Sequence, residues 1–168
     1  MKRLLLALPL AALLVAPAQG ATLLRLDGIG PLKLGMARMV ALDTGWLNDR
    51  QTGCPLGGKP YPIGYALNGA SAPAAIDARA EFVDQKLQTI TASKGVRTAT
   101  GVVPGKTTWA SMVTRYRNAG FKVSARYDDV FQLTFVHVKR KGGKPVMTGI
   151  AENKIVDSVG VPFIPLCE

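Results

Sequence analysis

The chain has 168 residues, with 21 Lys and Arg against 11 Asp and Glu, a net charge of +10, one histidine and two cysteines. The length suits one domain with a sizeable core, and a single histidine leaves a metal cluster or a catalytic thiol without partners. The positive balance points to an acidic partner: an acidic protein, lipopolysaccharide phosphates or nucleic acid.

Residues 1–20 read as a secretory signal. Lys2 and Arg3 precede an apolar run over 4–15, and small residues follow at Ala16, Ala18, Gly20 and Ala21. The run is shorter than the ~20 apolar residues of a membrane span, and no later run approaches that length. Cleavage after Ala18 or Gly20 is expected, with no cysteine placed for a lipid anchor. Residues 21–168 then form the mature chain, in a periplasm or the medium. Without Lys2 and Arg3 the chain keeps 19 basic and 11 acidic side chains, of which 12 and 5 fall after residue 93. Export and a count of two predict a disulfide between Cys54 and Cys167.

The first half opens with GPLKLGMARMVALDTG (residues 30–45), read as a short helix with Met36, Met39 and Val40 apolar and Gly45 ending it. Residues 51–75 are rich in Gly, Pro and Ala. YPIGYAL (61–67) and DARAEF (77–82) are candidate strands. The second half opens with GVVPGKTTWASMVTRYRNAG (101–120). There Trp109, Met112, Val113 and Tyr116 fall on one helical face, Thr107 is the expected N-cap and Gly120 the C-terminal glycine. FKVSARY (121–127) then turns at Asp128-Asp129 into VFQLTFVHVKR (130–140), where alternation predicts a half-buried strand on Phe131, Leu133 and Phe135. Gly142-Gly143 supplies a hairpin turn into PVMTGIA and KIVDSVGV.

FVDQKLQTIT (82–91) and IAENKIVDSV (150–159) match by residue type, each a strand, a tight polar turn at Asp84-Gln85 or Glu152-Asn153, and a returning strand. The expected fold is therefore α+β: two tandem modules, each a short helical segment followed by antiparallel strands, at about 24–93 and 98–161 of a single mature domain.

DGIGPLKLGM, the cysteine at 54, the T-x-x-G-x-x-x-G stretch at 98–105 and the cysteine at 167 resemble a group of small secreted bacterial proteins without assigned activity. The repeated helix-then-sheet plan is similar to the beta-lactamase inhibitory protein and to the small lipoprotein of the outer-membrane barrel assembly machinery. That resemblance implies a protein-binding role. Ala37 departs from the family pattern, which places Thr after Gly-Met, so the first helix is expected to lack its cap.

GVVPGKT imitates a phosphate loop, but a Walker A needs one more residue between its glycines, and Pro104 has no N–H to offer. Gly28, Gly30 and Gly35 miss the dinucleotide spacing at Lys33. His137 has no motif to supply a nucleophile and reads as a strand-end structural residue. Asp84 and Glu152 read as turn residues rather than a carboxylate pair. No catalytic residue, cofactor or metal site is expected. The sharpest candidate is VHVKRKGGK (136–144), a hairpin tip carrying Lys139, Arg140, Lys141 and Lys144. The expected function is an exported, non-enzymatic protein-binding module of inhibitor, immunity or envelope-assembly type, taking an acidic envelope or secreted protein. The alternatives are an envelope polyanion binder and an unrecognised hydrolase.

Overall fold

A computed structural model of the chain describes residues 20–53 and 61–165. In chain order the elements are β1 (Thr22–Arg25), β2 (Gly28–Ile29), β3 (Leu32–Lys33), α1 (Arg38–Asp43), β4 (Asn48–Thr52), β5 (Ile63–Ala66), β6 (Asp77–Val83) and β7 (Lys86–Lys94). Then come β8 (Val96–Thr98), α2 (Trp109–Asn118), β9 (Lys122–Asp128), β10 (Leu133–Lys139), β11 (Pro145–Glu152) and β12 (Ile155–Val161). The strands form two sheets, of order β3-β2-β1-β8 and β4-β5-β6-β7-β12-β11-β10-β9. The larger is antiparallel throughout; in the smaller, β1 and β8 run parallel.

This corrects the expected α+β plan of two tandem helix-plus-strand modules. Strand exceeds helix by 48% to 12%, so the chain is mostly β. One 8-stranded sheet runs unbroken through both halves, and a separate 4-stranded sheet stands where no strands were expected. The misreading has a local cause. At the start of the expected helical stretch 30–45, Gly30, at φ +51, and Pro31 turn the backbone into a hairpin so tight that a Cβ at Gly28 would meet the Leu32 carbonyl. β3 occupies the start of that stretch, with β2 just before it, and α1 keeps only 6 residues. Its Met39 and Val40 are 61% and 54% exposed, while Ala41 is the buried residue.

α2 follows its pattern more closely. Met112, Val113 and Tyr116 are buried, as their spacing requires. The cap is Thr108 rather than Thr107: Thr108 Oγ1 accepts from the Ser111 N–H at 3.2 Å, while Thr107 Oγ1 accepts from the Val103 N–H at 2.9 Å. At the far end Gly120 N–H donates to Arg117 O (2.9 Å) and Phe121 N–H to Tyr116 O (3.0 Å), a Schellman close. The Tyr116 and Phe121 rings, 5.7 Å apart, add its usual apolar contact. α1 starts at Ala37 with no side-chain cap, as expected.

The two matched hairpins carry the same device. Asp84 and Gln85 have φ of 48° and 61°, Asn153 and Lys154 of 46° and 71°, the two successive left-handed residues of a type I′ turn. The second turn thus lies one residue beyond the expected Glu152-Asn153. Each turn holds the entry to a helix. Arg38 N–H bonds Gln85 O (2.7 Å) and Leu87 N–H bonds Met36 O (2.9 Å); Trp109 N–H bonds Lys154 O (3.0 Å) and Val156 N–H bonds Thr107 O (2.8 Å).

A single apolar cluster joins Ala41 of α1, Met112 and Tyr116 of α2, Leu24 of the small sheet, and one face of the large sheet. On that face Ile90, Ala92, Val159 and Val161 are at most 1% exposed. Truncating such a side chain removes its transfer free energy and leaves a cavity. Ile90→Ala is expected to cost ~2–5 kcal/mol, and Met39→Ser to stay within ~0.5 kcal/mol. Urea unfolding of the two variants checks this; equal losses would place Ile90 outside the core.

Candidate functional site

The other face of the large sheet is small and polar. One cross-strand row runs through all eight strands in register: Asn48, Ala66, Arg79, Thr91, Gly160, Thr148, His137 and Ser124. At its middle the chain after β12 folds back over the sheet. Gly160 permits this, because a Cβ there would collide with Phe163 and Ile164. Towards the first half, Arg79 lies across Gly64, donates to the Thr52 carbonyl (2.6 Å) and pairs with the buried Glu81 (3.2 Å). A cavity of about 270 Å³ beside Glu81 is lined by Pro62, Thr89, Phe163 and Pro165 among others. Gly53 N–H bonds the Pro62 carbonyl at 2.7 Å, and Pro165 lines the same cavity as Pro62. The two cysteines themselves lie outside the described residues.

Towards the second half this face is exposed at β9, where Lys122, Ser124 and Arg126 are exposed, while Phe135, Thr148 and Ile150 behind them are buried. Of the residues expected on a half-buried strand, Phe135 is buried and Leu133 half-buried, while Phe131 is 38% exposed; the opposite parity is turned into the core as well, with Val136 and Val138 both 0% exposed. Both parities of β10 are apolar, and α2 takes the even one. Val130 and Phe131 lie outside β10 altogether, in a four-residue loop (129–132) longer than the expected Asp128-Asp129 turn. Asp128 Oδ1 accepts from their N–H groups at 3.0 and 3.2 Å and holds that loop. Phe131 and Phe135 meet edge to face at 6.4 Å, and Phe135 stacks on His137 with planes 9° apart.

His137 therefore sits on an aromatic shelf, with Nδ1 3.4 Å from Thr148 Oγ1 and Ser124 opposite on β9. Burial, and secondarily the Lys139 charge, hold the imidazole below its usual 6.5.

The expected candidates meet at the β10–β11 tip. Lys139 ends β10, and Arg140, Lys141 and Lys144 are exposed in the connection. The turn runs over 140–143, closed by Gly143 N–H to Arg140 O at 3.0 Å with Gly142 at φ +72°. The structure adds Lys122, which pairs directly with Lys139 across β9 and β10. Further along β9, Arg126 stands opposite Phe135. Among the described residues the ion pairs are Lys33–Asp27 and Arg79–Glu81, so none of these cations has a carboxylate partner there. The Lys-x-x-x-Arg parity of 122 and 126 is the available signal; that Lys122 lies beside the tip depends on pairing and is invisible locally.

The GVVPGKT stretch is bonded internally. Gly101 N–H goes to Thr98 O, Val102 N–H to Thr98 Oγ1, Val103 N–H to Thr107 Oγ1, Gly105 N–H to Val156 O, and Lys106 and Thr107 N–H to Val103 O. Among the described residues no helix is long and apolar enough to cross a membrane. Comparison with protein-family models, curated proteins and solved structures found no match to this chain.

The histidine yields a direct test. Its folded pKa is depressed, so below about 6.5 the unfolded chain binds a proton that the folded chain refuses. The contribution to stability is whole above 6.5 and is lost as pH falls towards the folded value. The lone imidazole resonance is expected to titrate below 6.5 in the folded protein, and His137→Gln to flatten the stability profile across that window. A midpoint at or above 6.5 would contradict the packing against Phe135.

Proposed function

We propose that the mature protein is an exported, non-enzymatic protein-binding module of inhibitor, immunity or envelope-assembly type, whose partner is acidic. The observation that carries this reading is the group Lys122, Lys139, Arg140, Lys141 and Lys144, exposed and without a carboxylate partner among the described residues, at one corner of the large sheet. Like charges held this close repel one another, so an acidic surface relieves repulsion as well as adding attraction. Such a group acts chiefly by steering encounter. The bonded amides of GVVPGKT speak against a phosphate cradle there, since such a cradle needs free N–H groups.

Exposed pairs are worth only ~0.2–1 kcal/mol each. Replacing Lys139, Arg140, Lys141 and Lys144 with Ser is therefore expected to leave the urea midpoint nearly unchanged. The same variant slows association with an acidic protein ligand at low salt, an effect that fades once the Debye length falls below ~8 Å. An unchanged rate removes the tip from the binding surface. Binding to lipopolysaccharide vesicles with no response to acidic proteins would make the protein a polyanion binder instead.

Export, the count of two cysteines, the Gly53–Pro62 bond and the cavity shared by Pro62 and Pro165 support a Cys54–Cys167 disulfide in the mature chain. In the chain-entropy model its loop stabilises the fold by roughly 4–5 kcal/mol. Intact mass after alkylation of unreduced protein from the periplasm is expected to show no added label; two labels reject the bridge.

A further inference from the structure

The two edges of the large sheet are β4 and β9, and they are built differently. The register of β4 with β5 shifts between Asn48 and Arg50, Asp49 sits at φ 46°, and Asn68 Nδ2 bonds the Asp49 carboxylate at 2.5 Å. A bulge tied across by a side chain keeps further strands from adding. β9 has no such guard. Its 7 residues pair with β10 in unbroken register from Lys122↔Lys139 to Asp128↔Leu133, with no proline and no positive φ.

Alternate residues of an antiparallel edge strand direct their N–H and C=O groups outward. Arg117 of α2 donates to the Val123 carbonyl at 3.2 Å, which puts Val123, and by alternation Ala125 and Tyr127, in the outward set. Among the described residues no backbone bond outside the sheet takes the amides of Ala125 or Tyr127. Unpaired main-chain groups in a row are the template for strand addition.

We propose that the β9 edge accepts an extended segment of a partner protein in which acidic and apolar residues alternate. The proposal rests on the protein-binding reading above and names how the acidic partner docks. The pattern follows from the two faces of β9. Lys122, Ser124 and Arg126 are exposed and lie on the face of His137 and Phe135, whereas Val123, Ala125 and Tyr127 lie on the face of Val136 and Val138. An added strand therefore sets every second side chain against cations and the others against apolar groups, with Tyr127 55% exposed to receive them. Lys122 joins this edge to the basic tip, so one acidic segment meets both.

The test uses the mature protein and a labelled, end-blocked peptide of the length of β9, alternating Glu with Val. Saturable binding is expected, with none for the same peptide carrying Lys in place of Glu. Ala125→Pro removes one outward N–H while leaving the β10 ladder intact, and is expected to weaken binding by about tenfold or more. Circular dichroism checks that this variant folds. Methylating alternate backbone amides of the Glu/Val peptide tests the same point without altering the protein, and is expected to abolish binding in one of the two phases of methylation. Equal binding by both methylated peptides, or no binding of the parent, overturns the proposal. So does concentration-dependent dimerisation that Ala125→Pro removes, which would give the edge to a second copy. An acidic protein whose association responds to the tip variant but not to Ala125→Pro overturns the edge and leaves the protein-binding reading standing.

Discussion

Three residue pairs join the halves of the large sheet: Ala92 with Val159, Thr91 with Gly160 and Ile90 with Val161. Everything else is referred to this seam. Its outer pairs fill the core, and its middle pair lies on the opposite face, where Gly160 leaves room for the chain that follows. A slip of one residue would turn Thr91 inward and Ile90 outward, and would set a side chain where the returning chain must pass. The register is thus held from both sides of the sheet at once.

The helices depend on the same sheet. A helix of 6 residues, without a side-chain cap, has no stability of its own. It is held because its entry bonds to a hairpin turn, through Arg38 to Gln85 and Met36 to Leu87. α2 is longer and better terminated, yet its entry is tied in the same manner, through Trp109 to Lys154 and Thr107 to Val156. Tight turns in left-handed conformation thereby do more than reverse strands; they anchor the elements that close the core.

How far the sequence disclosed this depended on range. The Met112–Tyr116 face and the turn at Asp84-Gln85 are written within a few neighbouring residues, and local patterns reveal them. The strand NDRQT at β4 carries no apolar alternation, and strands of two residues at β2 and β3 are too short to show a period. β10 is apolar on both parities, and Phe135 and Val136 are both buried, so only packing against α2 decides which parity faces the helices. The site divides in the same way. The run from Lys139 to Lys144 is visible in the chain, whereas Lys122 joins it only through a pairing that no local pattern contains.

The shelf formed by Phe135 and His137 has a practical consequence. The chain has one histidine, and it lies half-buried, stacked on an aromatic ring and one strand from the edge. Its ring protons therefore form an isolated signal in a crowded spectrum. Ring-current shifts make that signal sensitive to small movements of Phe135. The protein carries a native, label-free reporter at the place where an incoming molecule would first disturb it.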